Sequence, residues 1–295
     1  MITVLGASGH TGSVIAERLL ALEEFVRVVG RDERRLASFE ARGAELAVGD
    51  IADTPFLTKA LSGADAAWLL IPPAYTEPDY LAYMDRLAGS IEHAVRDSEI
   101  SHVALLSSMG ADLPEGTGLV TGLHAMEARL RELTAVNSLF LRAGYFYENL
   151  FGSLEFIAAQ GVNGGVIAPD VPVTMVASRD VGEIAARALR SRDFSGVAVR
   201  SAVGPRDYTM REVTRILGGA IGRPELDYSQ LPAEGVARAL QQSGMSADSA
   251  RLLVEMGEAI NAGRMNVPEE RTEDNTGPTT FEDFAPALAA AFRSP

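Results

Sequence analysis

The chain contains no cysteine, which excludes disulfides, thiolate catalysis and zinc–thiolate sites. Lysine is almost as scarce. Lys59 is the sole one, so arginine carries nearly all the positive charge. No run of about 18 apolar residues occurs, so no membrane span is expected. The amino terminus, "MITVLG", lacks a basic stretch followed by an apolar signal core, and the expected location is cytoplasmic. A basic surplus is also missing. Asp and Glu number 40 against 26 Lys and Arg, giving a net charge of −14. Such a surface repels phosphate backbones, and the one basic cluster, "RDERRL", is short and mixed, so no nucleic-acid partner is expected. No His, Asp and Glu spacing suggests a metal site, and no Gly-x-Ser-x-Gly elbow supports hydrolase chemistry.

What remains is a chain of 295 residues, 47% of them apolar, enough for one large α/β domain or a domain with a smaller lobe. Short apolar runs at 2–5, 26–29, 45–48, 66–71, 102–106 and 138–141 read as strands. Helical patterns lie between them at 13–22, 33–41, 55–61, 80–97 and 124–133. This alternation predicts a parallel sheet with helices on both faces, a doubly wound fold of the Rossmann type. After about residue 149 the pattern loosens. A helix is expected at 209–221, opened by a capping box of Thr209 and Glu212. Helical residues are expected over 232–263 and 281–292, with a polar loop before the last. The predicted organisation is a dinucleotide-binding domain over 1–150, joined by a segment near 174–203. A mostly helical substrate lobe makes up the rest of 151–295.

The first strand breaks into "GASGHTG", with Gly6, Gly9 and Gly12 at three-residue spacing before a helix. That arrangement suits a tight turn, close approach to a pyrophosphate and open amides at a helix start. Ser8, His10 and Thr11 lie in the same loop. At the end of the second strand an acid would hold the ribose 2′-hydroxyl of NAD. Here Gly30 stands in its place and Arg31 follows, a guanidinium suited to a 2′-phosphate. Arg34 or Arg35 would add a second contact, and Asp32 reads as a helix cap. The expected cofactor is therefore NADP. Asp50, after the third strand, falls near the adenine edge unless it is a turn aspartate. Ile71 and Pro72, after the fourth, fall beside the adenosine unless they form a buried strand end and a turn.

The segments "GASGHTG", "GRDERRL", "LLSSMGAD", "LRAGYFYENL", "ASRDVGEIAARAL" and "YTMREVTRILGGAIGRP" together resemble the NmrA-like branch of the short-chain dehydrogenase superfamily. The most specific is R-x-G-x-F-x-E-N, from Arg142 to Asn149. The resemblance implies NADPH-dependent reductases of quinones and dyes, or regulators that bind a dinucleotide without turnover. The superfamily's Tyr-x-x-x-Lys pair cannot exist here, because Pro55 stands four places before Lys59. Where many relatives carry a lysine at the start of the helix after strand five, this chain has Leu123, followed by His124.

Hydride transfer to a quinone or other conjugated acceptor needs less acid assistance than reduction of a ketone, so positioning and water exclusion remain sufficient. His124 is the candidate to contact the nicotinamide ribose or donate a proton, since imidazole titrates near neutrality. The alternative is an ordinary surface histidine. Ser107 and Ser108 end strand five beside the expected nicotinamide position. Tyr145, Tyr147 and Asn149 are expected to line a substrate pocket, with Phe146 in the core. The reading is an oxidoreductase acting on a small conjugated or aromatic acceptor. The alternatives are a redox-sensing regulator, or a tailoring enzyme or isomerase on the same fold. The expected partner is a small-molecule substrate, with a homodimer or protein partner in the regulator case.

Overall fold

β-Branched and apolar runs that stop on Gly, Asp, Ser or Pro build the sheet. In the computed structural model, which describes residues 1–267 and 269–293, the first six strands are β1 (Ile2–Leu5), β2 (Val26–Gly30), β3 (Glu45–Val48), β4 (Ala66–Leu69), β5 (His102–Ser108) and β6 (Asn137–Ala143). The chain then leaves the sheet through β7 (Tyr145–Phe146), β8 (Asn163–Gly165) and β9 (Val173–Val176). It returns as β10 (Val197–Ala202), parallel to β6. The sheet runs β10-β6-β5-β4-β1-β2-β3, and every pairing in it is parallel. Strand order reverses between β1 and β4, which opens a crevice at the carboxyl ends of the strands.

Helices α1 (His10–Ala21) and α7 (Ser178–Ser191) cover one face. After the short α2 (Ala37–Glu40), helices α3 (Thr54–Leu61), α4 (Tyr80–Asp97) and α5 (Thr121–Arg131) cover the other. Each face holds its own apolar cluster. Trp68, the chain's one tryptophan, is fully buried in the middle of β4. Burying each such large side chain contributes about 1.5–3 kcal/mol.

A third cluster fills the lobe. It is built from α6 (Leu154–Gln160), β11 (Asp207–Tyr208), α8 (Met210–Ile221), β12 (Tyr228–Gln230), α10 (Ala247–Asn261) and α11 (Phe281–Arg293), together with β7 and β9, while α9 (Ala233–Gln242) buries none of its residues. The expected capping box opens α8: Thr209 accepts from the Glu212 amide, and Glu212 returns a bond to the Thr209 amide.

Several expected boundaries shift. Helix α1 starts at His10 rather than residue 13, because the glycine loop itself forms the helix's first turn after Gly9. Strand β4 stops at Leu69, ahead of the Pro72–Pro73 pair. The helix expected at 33–41 divides into a 3₁₀ turn, Glu33–Arg35, and α2, with Asp32 capping the turn through the Arg34 amide. The helical stretch 232–263 is two helices, because Ser246 caps a fresh start by accepting from the Ser249 amide.

Candidate active site

The loop after β1 is held by β2. The amides of Gly6 and Ala7 both donate to the Val29 carbonyl, at 3.1 and 3.4 Å. Gly6 adopts a left-handed φ of +64°, and a side chain there would also meet Leu70 at 2.8 Å. Gly12 packs onto Gly6 so closely that a Cβ would lie 2.7 Å from the Gly6 carbonyl carbon. These two contacts fold the loop flat against the start of α1. No side chain caps that helix, and its first turn carries no acidic residue. Its leading amides are therefore left without a side-chain cap, the condition under which a helix start can receive an anion.

Of the expected cofactor residues, Ser8, Gly9 and His10 lie at the loop's surface, while Thr11 and Gly12 are buried beneath it. Arg35 Nη2 donates to the Ser8 carbonyl at 3.0 Å, so this guanidinium braces the loop. Arg34 pairs with Asp32. Arg31 is exposed and, among the described residues, has no carboxylate partner. Arg31 and Asp50 both act electrostatically on Tyr83 of α4, whose phenol is pushed up chiefly by burial and donates to the Pro72 carbonyl at 2.8 Å. Arg31, Asp50 and Pro72 thus share one edge of the crevice. Asp50 also closes its own turn by accepting from the Ala52 amide. Ile71 is buried in the core beneath α3 and α4. Tyr83 escaped sequence reading because one tyrosine in an amphipathic helix reads as packing.

At the other end of the crevice, His124 lies half-buried in the first turns of α5, with Nδ1 2.9 Å from the Ala111 carbonyl. A carbonyl only accepts, so Nδ1 carries the proton of the neutral ring and Nε2 keeps its lone pair. Leu123 packs into both neighbouring apolar clusters. Ser107 is buried and donates to Glu127 Oε1 at 2.6 Å, so its proton is committed to α5. Ser108 donates to the Met109 carbonyl.

Tyr145 is half-buried after β6. Burial pushes its phenol up to about 12, with the Tyr75 phenol adding to the rise and a hydrogen bond with Asn149 opposing it. The phenol of Tyr228 also feels Tyr145, so tyrosines from β12 and the loop after β4 approach it. Tyr75 lies 37% exposed at this edge, its ring stacked on Tyr80 at 6.1 Å. The expectation for Tyr147 is corrected. It is fully buried between Tyr208, Phe281 and Phe284, and its hydroxyl donates to the Thr279 carbonyl. Phe146 is half-buried against the sheet core.

The R-x-G-x-F-x-E-N segment is largely architectural. Arg142 forks onto Glu127 through Nε at 2.9 Å and Nη2 at 2.7 Å. Gly144 lets the chain pass against the Thr174 carbonyl, 2.8 Å from where a Cβ would stand. Glu148 caps α7 by accepting from the Ser178 amide and hydroxyl. Glu127 is the residue that sequence reading passed over. No local signal marks it, because an acid among the charged residues of α5 reads as solvated.

The NmrA-like family's sequence profile matches residues 1–285. A (4-alkanoyl-5-oxo-2,5-dihydrofuran-3-yl)methyl phosphate reductase from Streptomyces griseus is 30% identical over 240 residues, 81% of this chain and 80% of that one. An NAD(P)H azoreductase from Xenophilus azovorans is 25% identical over 298 residues, 99% of both chains. Among solved structures, an NADPH-dependent quinone oxidoreductase from Escherichia coli in complex with NADPH has the same fold. It superposes with a TM-score of 0.82 at 21% identity, covering 98% of this chain and 99% of that one.

Proposed function

The chain belongs to the NmrA-like family, and from that premise we propose that it is an NADPH-dependent oxidoreductase whose acceptor is a small conjugated or aromatic molecule such as a quinone. The observation that carries the proposal is the Gly6–Gly12 cradle at the uncapped start of α1, with the unpaired Arg31 at the same crevice. Open amides suit a pyrophosphate, and a free guanidinium suits a 2′-phosphate. The relatives named as NAD(P)H-using reductases support the same reading. Arg35 and Thr11 keep the cradle in shape, and Arg31, Asp50 and Pro72 border the adenosine end.

NADPH, when bound, supplies the hydride. The chain's own task is to place the acceptor, exclude water and deliver a proton to the acceptor's oxygen or nitrogen. Tyr145 keeps its phenolic proton throughout the neutral range, since burial holds it near 12. It therefore serves as a hydrogen-bond donor to the acceptor, with Tyr75 as a stacking wall. His124 is the proton donor in this reading. Its Nδ1–H is fixed by Ala111, so Nε2 faces the acceptor; Nε2 takes up a proton from solvent, passes it to the acceptor as the hydride arrives and returns to its lone-pair form. Ser107 holds the strand end on which this arrangement is built.

A regulator that binds NADP without turnover is the second reading. The apolar Leu123, packed where a lysine would hold the ribose in relatives of the enzyme type, favours it. Incubating the protein with NADPH and a panel of quinones and azo dyes, while following loss of the reduced nicotinamide absorbance, separates the two. Acceptor-dependent loss supports the reductase. Tight binding with no loss across the panel selects the regulator.

A further inference from the structure

We propose that Glu127 and Arg142 are positioning residues that set the tautomer and orientation of His124. The inference rests on the reading of His124 as the site's proton donor, and it adds a buried carboxylate and its half-buried guanidinium partner, to which no role in that site has been given. Glu127 is 2% exposed, and an isolated carboxylate at such burial is costly unless paired and hydrogen-bonded. It is paired several times over. Arg142 forks onto it, Ser107 donates at 2.6 Å and Arg131 donates at 3.3 Å.

The placement of these partners is what links them to His124. Ser107 and Arg142 are register partners on β5 and β6, so the Glu127 carboxylate fastens α5 to two adjacent strands at once. His124 lies three residues before Glu127, on the same side of the helix. Arg142 also reaches through Nη1 toward Asp112 Oδ1 at 3.5 Å. Asp112 follows Ala111, whose carbonyl receives His124 Nδ1. The contacts therefore close a ring: helix α5, Glu127, Arg142, Asp112, the Ala111 carbonyl and back to the imidazole. Arg142 holds the helix through one side of its guanidinium and the loop through the other. With that fork loosened, the Ala111 carbonyl and the imidazole are free to separate. Nδ1–H then loses its acceptor, and the ring relaxes toward the Nε2–H form that an unconstrained histidine prefers.

The protein has four histidines, so its imidazole nitrogens can be resolved by NMR after ¹⁵N labelling of histidine, with His124→Gln assigning the signal. Spectra are recorded about two pH units above the ordinary histidine value, where a free imidazole is neutral. Wild-type protein is expected to show the Nδ1–H tautomer. Glu127→Gln is expected to shift the tautomer ratio toward Nε2–H by roughly two- to tenfold, the equivalent of one neutral hydrogen bond. Because Glu127→Gln leaves Arg142 without its buried counter-ion, only the exposed Asp112 remaining, the paired variant Glu127→Gln/Arg142→Gln is measured as well. It buries no unpaired charge and is expected to shift the ratio in the same direction. An unchanged Nδ1–H signal in the folded variants overturns the inference. No acceptor is present in these spectra, so failure of the reductase reading appears separately, as absent turnover with the tautomer response intact.

Discussion

Replacing Gly12 by alanine probes the cradle with a single methyl group. The new Cβ would lie 2.7 Å from the Gly6 carbonyl carbon and 3.1 Å from the Ala7 Cα. Carbon atoms in good contact are about 3.5–4.0 Å apart, so the loop and helix must separate by roughly 1 Å. The loop has little room to retreat. Gly6 is held by the hydrogen bond its amide donates to the Val29 carbonyl on one side and by Leu70 beneath its Cα. Overpacking of this kind costs about 1–3 kcal/mol, which in a chain of this size lowers Tm by roughly 2–10 °C. The larger effect falls on binding, because a displacement of about 1 Å at a positioned site costs on the order of a hundredfold. NADPH titration by calorimetry, with a thermal melt of the same sample, reads both. Gly89→Ala is the matched control. It lies inside α4 with nothing within 4 Å of the added Cβ, and it should raise stability by about 0.5–1 kcal/mol with no change in affinity. A Gly12→Ala protein that melts lower yet binds NADPH as tightly as wild type would refute the reasoning, for the loop would then be a packing feature and not the phosphate cradle.

Arg31→Ala should weaken NADPH binding by roughly ten- to a hundredfold, the value of a charge-assisted hydrogen bond, and leave NADH binding unchanged; equal losses for both nucleotides would remove Arg31 from 2′-phosphate recognition. His124→Gln should lower acceptor turnover by about a hundredfold or more at unchanged NADPH affinity, and wild-type turnover would return the imidazole to a purely structural role. All seven tyrosines are displaced upward, with burial the first cause in each. Their folded values lie above the unfolded value of about 10, so their contribution to stability is fully present below that pH and is lost as pH rises toward the folded values. Phenolate absorbance should therefore lag at about pH 10 and rise together with unfolding, whereas reversible titration of all seven near pH 10 with the fold intact would contradict the burial described.

The parallel sheet, its order of alternation and the glycine turn were legible in the sequence because each rests on local rules: strand punctuation, helix capping and the spacing of three glycines. Arg31 stood out for the same reason, as a cation where an acid was due. The structure adds what depends on long-range contact. Tyr147 and Tyr145 are two residues apart and chemically identical. Only the arrival of Phe281 and Thr279, more than a hundred residues later, decides that Tyr147 is core. For Arg35, expected beside the phosphate, long-range contact adds a bond to the Ser8 carbonyl that local pattern could not show. Glu127 was invisible for a related reason. Its partners come from two strands and a neighbouring turn, and nothing in the local pattern of α5 distinguishes a buried, four-fold-bonded carboxylate from a solvated one. The split of the stretch 232–263 turns on one serine cap, a signal present in the sequence but weaker than the surrounding helical pattern.

Calorimetric titration of the wild-type protein with NADPH and, separately, with NADH bears most directly on the glycine cradle and its neighbouring guanidinium. Saturable heat with NADPH at one site per chain is expected, with affinity for NADH weaker by about tenfold or more, the worth of the added phosphate contact. No heat with either nucleotide would contradict it.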